Sequence, residues 1–181
     1  GVQTCALPIY KVEHYTETLK EGAFDLKETE NLSGETDTTA TATAKTYEGF
    51  TFDDSIEGTV LSGNIAGDGS LVLKVYYTRN SYEVAYEYEG KVPEGASVLP
   101  SGEIYLYDAD VIVAEPATAP GYTFSGWDKD NFKMPAENVV IKGSFEANKN
   151  TSYKVEHYTE TLKEGAFDLR ETENLSGETD T

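Results

Sequence analysis

The stretch YKVEHYTETLKEGAFDLKETENLSGETDT, residues 10–38, returns as residues 153–181, with Lys27 replaced by Arg170 as the sole change in 29 positions. Tyr10 recurs as Tyr153, an offset of 143 residues. Solenoid units repeat every 20 to 50 residues or so because a single unit cannot bury its own apolar face. A period this long is expected to hold one or two domains that fold by themselves. Near-identity of the copies points to recent tandem duplication. Arrays that gain and lose units in this way serve as spacers or multivalent displays rather than as catalysts.

The repeat also defines what lies outside it. Residues 1–9, GVQTCALPI, match nothing later in the chain and hold its only cysteine, Cys5. They read as the translation of a common sequencing-adapter oligonucleotide, an artefactual segment to be set aside as one would a fusion scar. Without Cys5 there is no thiol for a disulfide, a thiolate metal site or a cysteine nucleophile. The segment lacks the basic start and apolar stretch of a signal peptide. Both ends of the chain are expected to be breaks in a longer array, with the native N-terminus missing.

Fourteen basic residues face 33 acidic ones, a formal charge of −19. Nucleic-acid phosphates and anionic lipid attract Lys and Arg, so this surface repels both and nucleic-acid partners are excluded. The acidic residues are spread along the chain, while 13 Tyr, seven Phe and many Val and Thr favour folded β structure over disorder. No run approaches the roughly 18 apolar residues of a membrane helix. The expectation is a soluble, acidic, mainly β protein.

Alternation locates the strands. In YKVEHYTETL, Tyr10, Val12 and His14 share one face, with Lys11, Glu13 and Tyr15 on the other. FDLKETE, residues 24–30, alternates again after the turn at Lys20-Glu21-Gly22. Thr36 or Asp37 is placed to cap a short helix over Thr38–Tyr47 that Gly49 would end, although the many Thr residues equally suit a strand. LVLKVYYTRN, after the Ala66–Ser70 turn, puts Leu71, Leu73, Val75 and Tyr77 on one side. A break at Thr78–Ser81 separates this from SYEVAYEYEG, a half-buried strand with Tyr82, Val84, Tyr86 and Tyr88 facing one way. IYLYDADVIVAEP adds more β structure. Pro116, Pro120 and Gly121 then punctuate a loop. Tyr122, Phe124 and Trp127 are expected in a core, with Val139, Ile141 and Phe145 on a closing strand.

These motifs carry a resemblance. The opening Tyr-x-Val-x-His-Tyr, the Gly-x-Thr before a Thr/Ala-rich stretch, Tyr-x-Gly-Phe and the closing Leu-x-Val-Tyr-Tyr resemble the MucBP-like (mucin-binding-protein) repeat of Gram-positive surface proteins. GYTFSGW, MPAENVVIKGSF and the preceding Tyr-x-Val strand resemble the Listeria–Bacteroides or internalin B-repeat class. The resemblance implies small β-grasp-like modules, mainly β with an α+β character, in secreted proteins anchored to the cell wall. The expected organisation is an artefactual segment 1–9, a first module 10–79, a second module 81–148, a linker 149–152, and a truncated copy of the first module at 153–181. That copy lacks a counterpart of LVLKVYYT and is expected to be a hairpin of low order, or one borrowing contacts from its neighbour.

No catalytic constellation emerges. His14 and His157 occupy equivalent repeat positions, and no second His, Cys or spaced carboxylate cluster completes a metal site around either. A packed or half-exposed strand histidine accounts for them. Gly-x-Ser-x-Gly and a partnered nucleophile are missing. Gly67-Asp68-Gly69 lacks the ligand spacing of a calcium loop and the strand–loop–helix setting of a phosphate loop. Asp53-Asp54 and Asp108-Ala109-Asp110 offer oxygen ligands for a weak surface Ca²⁺, and serve equally as turn residues. A Lys–Asn isopeptide staple from Lys11, Lys74 or Lys142 to an Asn such as Asn138 is conceivable. Leu99-Pro100-Ser101-Gly102 lacks the Thr and following apolar segment of a sortase signal. Trp127 is read as a core ring, with a sugar-stacking platform as the alternative. No catalytic, cofactor-binding or metal residues are assigned, and no cofactor.

Two functions follow as expectations. One is a non-enzymatic segment of a bacterial cell-surface stalk or adhesin that spaces or displays a distal binding domain. The other is a module that itself engages host mucin glycans or an extracellular protein, weak contacts being multiplied by repetition.

Overall fold

The strand alternation of residues 10–17 and 71–79 decides the first sheet. In the structure, a computed structural model describing residues 9–179, the strands are β1 (Ile9–Glu17), β2 (Phe24–Ser33), β3 (Thr39–Thr41), β4 (Phe50–Phe52), β5 (Ser62–Asn64), β6 (Val72–Arg79) and β7 (Ser81–Glu89). They continue as β8 (Glu103–Leu106), β9 (Asp110–Val111), β10 (Tyr122–Phe124), β11 (Phe132–Lys133), β12 (Val139–Ala147), β13 (Thr151–Glu160) and β14 (Phe167–Gly177). None of the described residues is helical, so the chain is mainly β. Residues 1–8, most of the segment read as foreign, lie outside the described residues, as do 180 and 181.

β1 and β2 form a hairpin paired from Ile9↔Ser33 to Glu17↔Phe24, with a bulge between His14 and Tyr15. Its turn closes where Ala23 N–H donates to Lys20 O at 3.1 Å, and Gly22 takes a positive φ of 69°. β6 then lies parallel to β1, Val12 opposite Leu73 and His14 opposite Val75, and β4 pairs antiparallel with β6, giving the order β2-β1-β6-β4. A parallel neighbour requires a crossover of a dozen residues or more, and residues 34–71 supply it. The central pairing thus joins the first and last long strands of this sheet.

The expected helix over Thr38–Tyr47 is not there. Thr39–Thr41 forms β3 instead and pairs with β5, while Ala42 N–H donates to Leu61 O at 2.8 Å. Two physical reasons stand out. Asp37 has φ 64°, a left-handed backbone incompatible with the extended conformation of a helix cap. The β-branched Thr residues suit a pleated surface, where Ala40, 5% exposed, turns inward. The helical part of the α+β expectation is thereby corrected.

By compactness the chain divides into two units. The first comprises the described residues through Val84, with Glu103–Val111 and Phe132–Val139. Its core gathers Val12, Ala40, Ile65, Leu73, Val75 and Tyr77, with Tyr47, Phe50, Phe52 and Leu61 packed against them. Each fully buried Val or Leu here contributes about 1.5–3 kcal/mol of transfer free energy. In the same unit, β8 pairs with the start of β7 from Ser81↔Leu106 to Val84↔Glu103, and β9 pairs with β11. Arg79 ties this region together. Its Nε donates to Glu17 O (3.0 Å), an Nη donates to Tyr107 O (2.7 Å), and the guanidinium lies 4.8 Å from the Phe50 ring centre.

The second unit comprises Ala85–Gly102, Ile112–Asn131 and the residues from Val140 on. Here β10 pairs with β12 from Tyr122↔Ala147 to Phe124↔Phe145. Tyr86, Tyr88, Phe124, Trp127 and Phe145 form an aromatic cluster with ring centres 4.9–6.2 Å apart. Gly143 makes room for it: a Cβ there would meet Phe124 Cζ at 2.3 Å. β13 and β14 form a two-stranded sheet paired from Thr151↔Gly177 to Glu160↔Phe167, with a bulge between His157 and Tyr158.

Candidate functional site

The most developed polar constellation surrounds His14. Because β1 alternates, Val12, His14 and Thr16 all point into the first core, and the imidazole is fully buried. Its Nε2 lies 2.8 Å from Glu30 Oε1 and its Nδ1 lies 2.8 Å from the Tyr77 hydroxyl. A carboxylate can only accept, so Nε2 carries the proton in the neutral ring and Nδ1 accepts from the Tyr77 O–H. That hydroxyl in turn accepts from Lys45 N–H at 2.8 Å. Every polar group of the chain Lys45–Tyr77–His14–Glu30 is thereby paired, as burial demands.

A charged rim continues the network. Lys45 Nζ bonds Glu28 Oε1 at 2.7 Å and lies 3.2 Å from Glu30 Oε2, while the Tyr47 hydroxyl donates to Glu28 Oε2 at 2.9 Å. The bond from Lys45, then that from Tyr47, holds the Glu28 carboxyl below its ordinary range. The bond from His14, helped by Lys45, does the same for Glu30. Burial pushes the Tyr47 phenol up, and the Glu28 carboxylate adds to this. Burial also raises Tyr77. On the opposite face of β1, Tyr15 donates to Glu13 Oε2 at 2.6 Å, which pushes its phenol up to about 12. With both ring nitrogens bonded and no exposed surface, the imidazole of His14 fastens β1, β2 and β6 together rather than meeting a solute.

His157 shows the same residue without β6. Its Nε2 stays near Glu173 Oε1, at 3.3 Å, but half of its side chain is exposed, against none of His14. Tyr153, Tyr158, Phe167, Leu169 and Leu175 are likewise 40–61% exposed. The packed and half-exposed histidines considered from sequence thus both occur, one in each copy.

The remaining candidates resolve into turn and surface chemistry. Asp53 Oδ1 accepts from Ser55 N–H (2.9 Å) and Oγ (2.6 Å), and Asp68 Oδ1 accepts from Ser70 N–H (3.0 Å). Both are side-chain-closed turns. Asp108 occupies a left-handed turn position at φ 63°, and Asp110 pairs with Lys133 at 2.9 Å. Among the described residues, no group of three or more His, Cys, Asp or Glu side chains is placed to hold a metal ion. Asn138 Oδ1 accepts from Glu83 N–H, Lys142 Nζ bonds Glu89 Oε1 at 3.0 Å, and Lys74 Nζ lies 5.9 Å from the Tyr15 ring centre. Lys11 sits on β1, where its N–H donates to Leu71 O. Leu99–Gly102 lies in the irregular segment before β8. Trp127 stacks on Tyr88 at 7° and donates its indole N–H to Glu115 O at 3.1 Å. A surface depression of about 470 Å³ beside it is lined by Val113, Ala114, Gly126, Lys129, Asp130 and Asn131.

In the sequence His14 shares one face of its strand with Tyr10 and Val12, but its partners carry no local signal. Tyr77 was legible only as a member of one alternating side of its own strand, 63 positions away.

No family model and no curated protein matches the sequence, so the MucBP-like and B-repeat resemblances rest on their motifs. Among solved structures, the chain is similar to Streptococcal High Identity Repeats in Tandem (SHIRT) domains 3–4 from a cell surface protein. Identity is 17%, the TM-score 0.28, and the match covers 77% of this chain and 98% of that one. A TM-score at that level decides neither fold nor role.

Proposed function

We propose that this chain is a non-enzymatic repeat segment of a bacterial cell-surface stalk or adhesin, spacing or displaying a binding domain carried elsewhere on the protein. One observation carries the reading. Two stretches 143 positions apart, differing at one residue in 29, take the same hairpin with the same residue pairs and the same bulge. The duplicated piece is a structural element, and what it duplicates is sheet rather than a reactive group.

Charge fits the role. At −19, neighbouring copies repel one another, which keeps a crowded display extended and unassociated. The resemblance to wall-anchored repeats supports a location outside the cell, and the module limits 10–79 and 81–148 describe its repeating unit under this reading.

The test is to express one, two and four tandem copies of residues 10–152 and follow each by small-angle scattering and by retention on immobilised mucin. A spacer adds a constant increment of length per copy and stays unretained. Collapse into one globule whose length does not grow with copy number would contradict the stalk. Retention that climbs steeply with copy number would instead favour direct binding of glycans or an extracellular protein.

A further inference from the structure

The alternation that sends Val12, His14, Leu73, Val75 and Tyr77 into the first core leaves Tyr15 and Tyr76 on the other face of the sheet. They lie opposite one another in the parallel register of β1 and β6 and stack with ring centres 5.0 Å apart at 16°. Phe24, at the start of β2, meets Tyr76 edge-on at 5.1 Å and 86°. The loop after β4 is pinned beside these rings at both ends. Asp53 N–H donates to Tyr76 O at 3.1 Å, Val60 N–H donates to Lys74 O at 3.0 Å, and between them Thr59 N–H donates to Ile56 O at 3.1 Å. Gly58, at φ 92°, lets this turn approach Tyr76: a Cβ there would lie 3.3 Å from the phenolic oxygen.

Tyr15, Gly22, Phe24, Ile56, Glu57 and Tyr76 line a depression of about 480 Å³ here, a volume within the range of small-ligand sites. The three rings and Ile56 are partly buried, while Glu57 is exposed. A Cβ placed at Gly22 would meet nothing within 4 Å, so the space beside the hairpin turn is open. The electrostatics favour a cation. Aromatic faces are the negative side of the ring quadrupole, and the Glu57 carboxylate stands in the same wall. Glu13 accepts from the Tyr15 hydroxyl at 2.6 Å and Glu17 accepts from Gly22 N–H at 3.0 Å, so two further carboxylates flank the lining residues. Lys74 Nζ lies 5.9 Å from the Tyr15 ring centre, an ammonium group already drawn to this stack.

We propose that this depression binds a quaternary ammonium group, its methyls against Tyr15, Phe24, Tyr76 and Ile56 and its charge balanced by Glu57. The lining decides between kinds of cation. A primary ammonium brings three N–H donors that each need an acceptor. The side chains here offer the Glu57 carboxylate and the Tyr76 hydroxyl, while the Tyr15 hydroxyl is engaged by Glu13. A methylated nitrogen has no N–H to leave unpaired and spreads its charge over carbon that packs on rings, so it keeps the attraction to the aromatic faces without that cost. The site stands apart from the stalk reading, since a spacer adds the same length per copy with or without it.

The probe is choline chloride, titrated into the full chain at constant ionic strength and followed by NMR. It is compared with ethanolamine, its primary amine, and with the neutral alcohol in which carbon replaces the nitrogen. The expected result is saturable shifts centred on the ring protons of Tyr15, Phe24 and Tyr76, with choline binding at least about fivefold more tightly than either comparison compound. Phosphocholine separates a headgroup from the free alcohol: binding of either upholds the ammonium site, and the phosphate should weaken it beside Glu57. Tyr76→Ala should abolish binding. If that variant loses its sheet, Glu57→Gln on the exposed loop still decides the matter, weakening choline by about threefold or more and leaving the neutral alcohol unchanged. Equal binding of choline and the neutral alcohol, tighter binding of ethanolamine, indifference to Glu57→Gln, shifts centred elsewhere, or no saturation would each overturn the assignment.

Discussion

The hydroxyl of Tyr77 lies 2.8 Å from Nδ1 of His14, both groups fully buried and 63 positions apart in sequence. This bond joins the strand that opens the repeat to the strand that completes its sheet. Tyr77→Phe would leave the Lys45 N–H and His14 Nδ1 without their shared partner. Losing one side of a buried pairing costs about 1–3 kcal/mol, so the urea midpoint of the chain should fall while its strand content by circular dichroism holds.

The two histidines give an internal comparison. His14→Ala removes a fully buried ring with two bonds and should destabilise by roughly 2–4 kcal/mol. His157→Ala touches a half-exposed side chain and should stay within about 0.5 kcal/mol. Equal losses for the two, measured by urea denaturation, would contradict the environments described for them.

Acid should weaken the first unit through the carboxylates beside that network. Glu28 and Glu30 titrate below their ordinary value in the folded chain, so their contribution is present above the unfolded carboxylate value of about 4.3. It is lost as pH falls through the depressed folded values. Stability measured from pH 7 down to pH 2 should decline below pH 4–5 or so, and Glu30→Gln should flatten that decline. The Tyr15 phenol, raised to about 12 by Glu13, works in the opposite sense. Its contribution is present below about pH 10 and lost as pH rises through about 12.

In the second unit, Gly143→Ala should disturb the aromatic cluster, because the added methyl would sit 2.3 Å from Phe124 Cζ and 3.0 Å from Gly126 O. Phe124 packs on Trp127 at 4.9 Å, so indole fluorescence reports its displacement. A red-shifted emission maximum with a lowered thermal midpoint is expected. An unchanged spectrum would show that the cluster does not depend on close approach at Gly143.

Much of this was legible in sequence where a signal is local. The alternation of Leu73, Val75 and Tyr77 marked β6 and grouped the residues of one face, and the same holds for Tyr10, Val12 and His14 in β1; the structure shows which face is buried. Tyr88, Phe124 and Trp127 could be read as inward aromatics from spacing and turn residues alone. What alternation cannot say is which strands become neighbours, because parallel pairing of β1 with β6 depends on a crossover of some forty residues whose path has no local marker. The helix expected over Thr38–Tyr47 failed for a related reason. Ala and Thr give weak, opposed preferences, and pairing with β5, more than twenty residues away, overrode them. The His14 network stayed hidden because its members come from four separated segments.

The central claim is that the 29-residue hairpin acquires its buried core only where a β6 strand lies along its first strand. Amide hydrogen exchange across both copies in the intact chain tests this most directly. Protection in β1 should exceed that at the matching positions of β13 by at least about a hundredfold, since Val12 and His14 exchange with the core while β13 opens with its exposed hairpin. Equal protection of the two strands would contradict it.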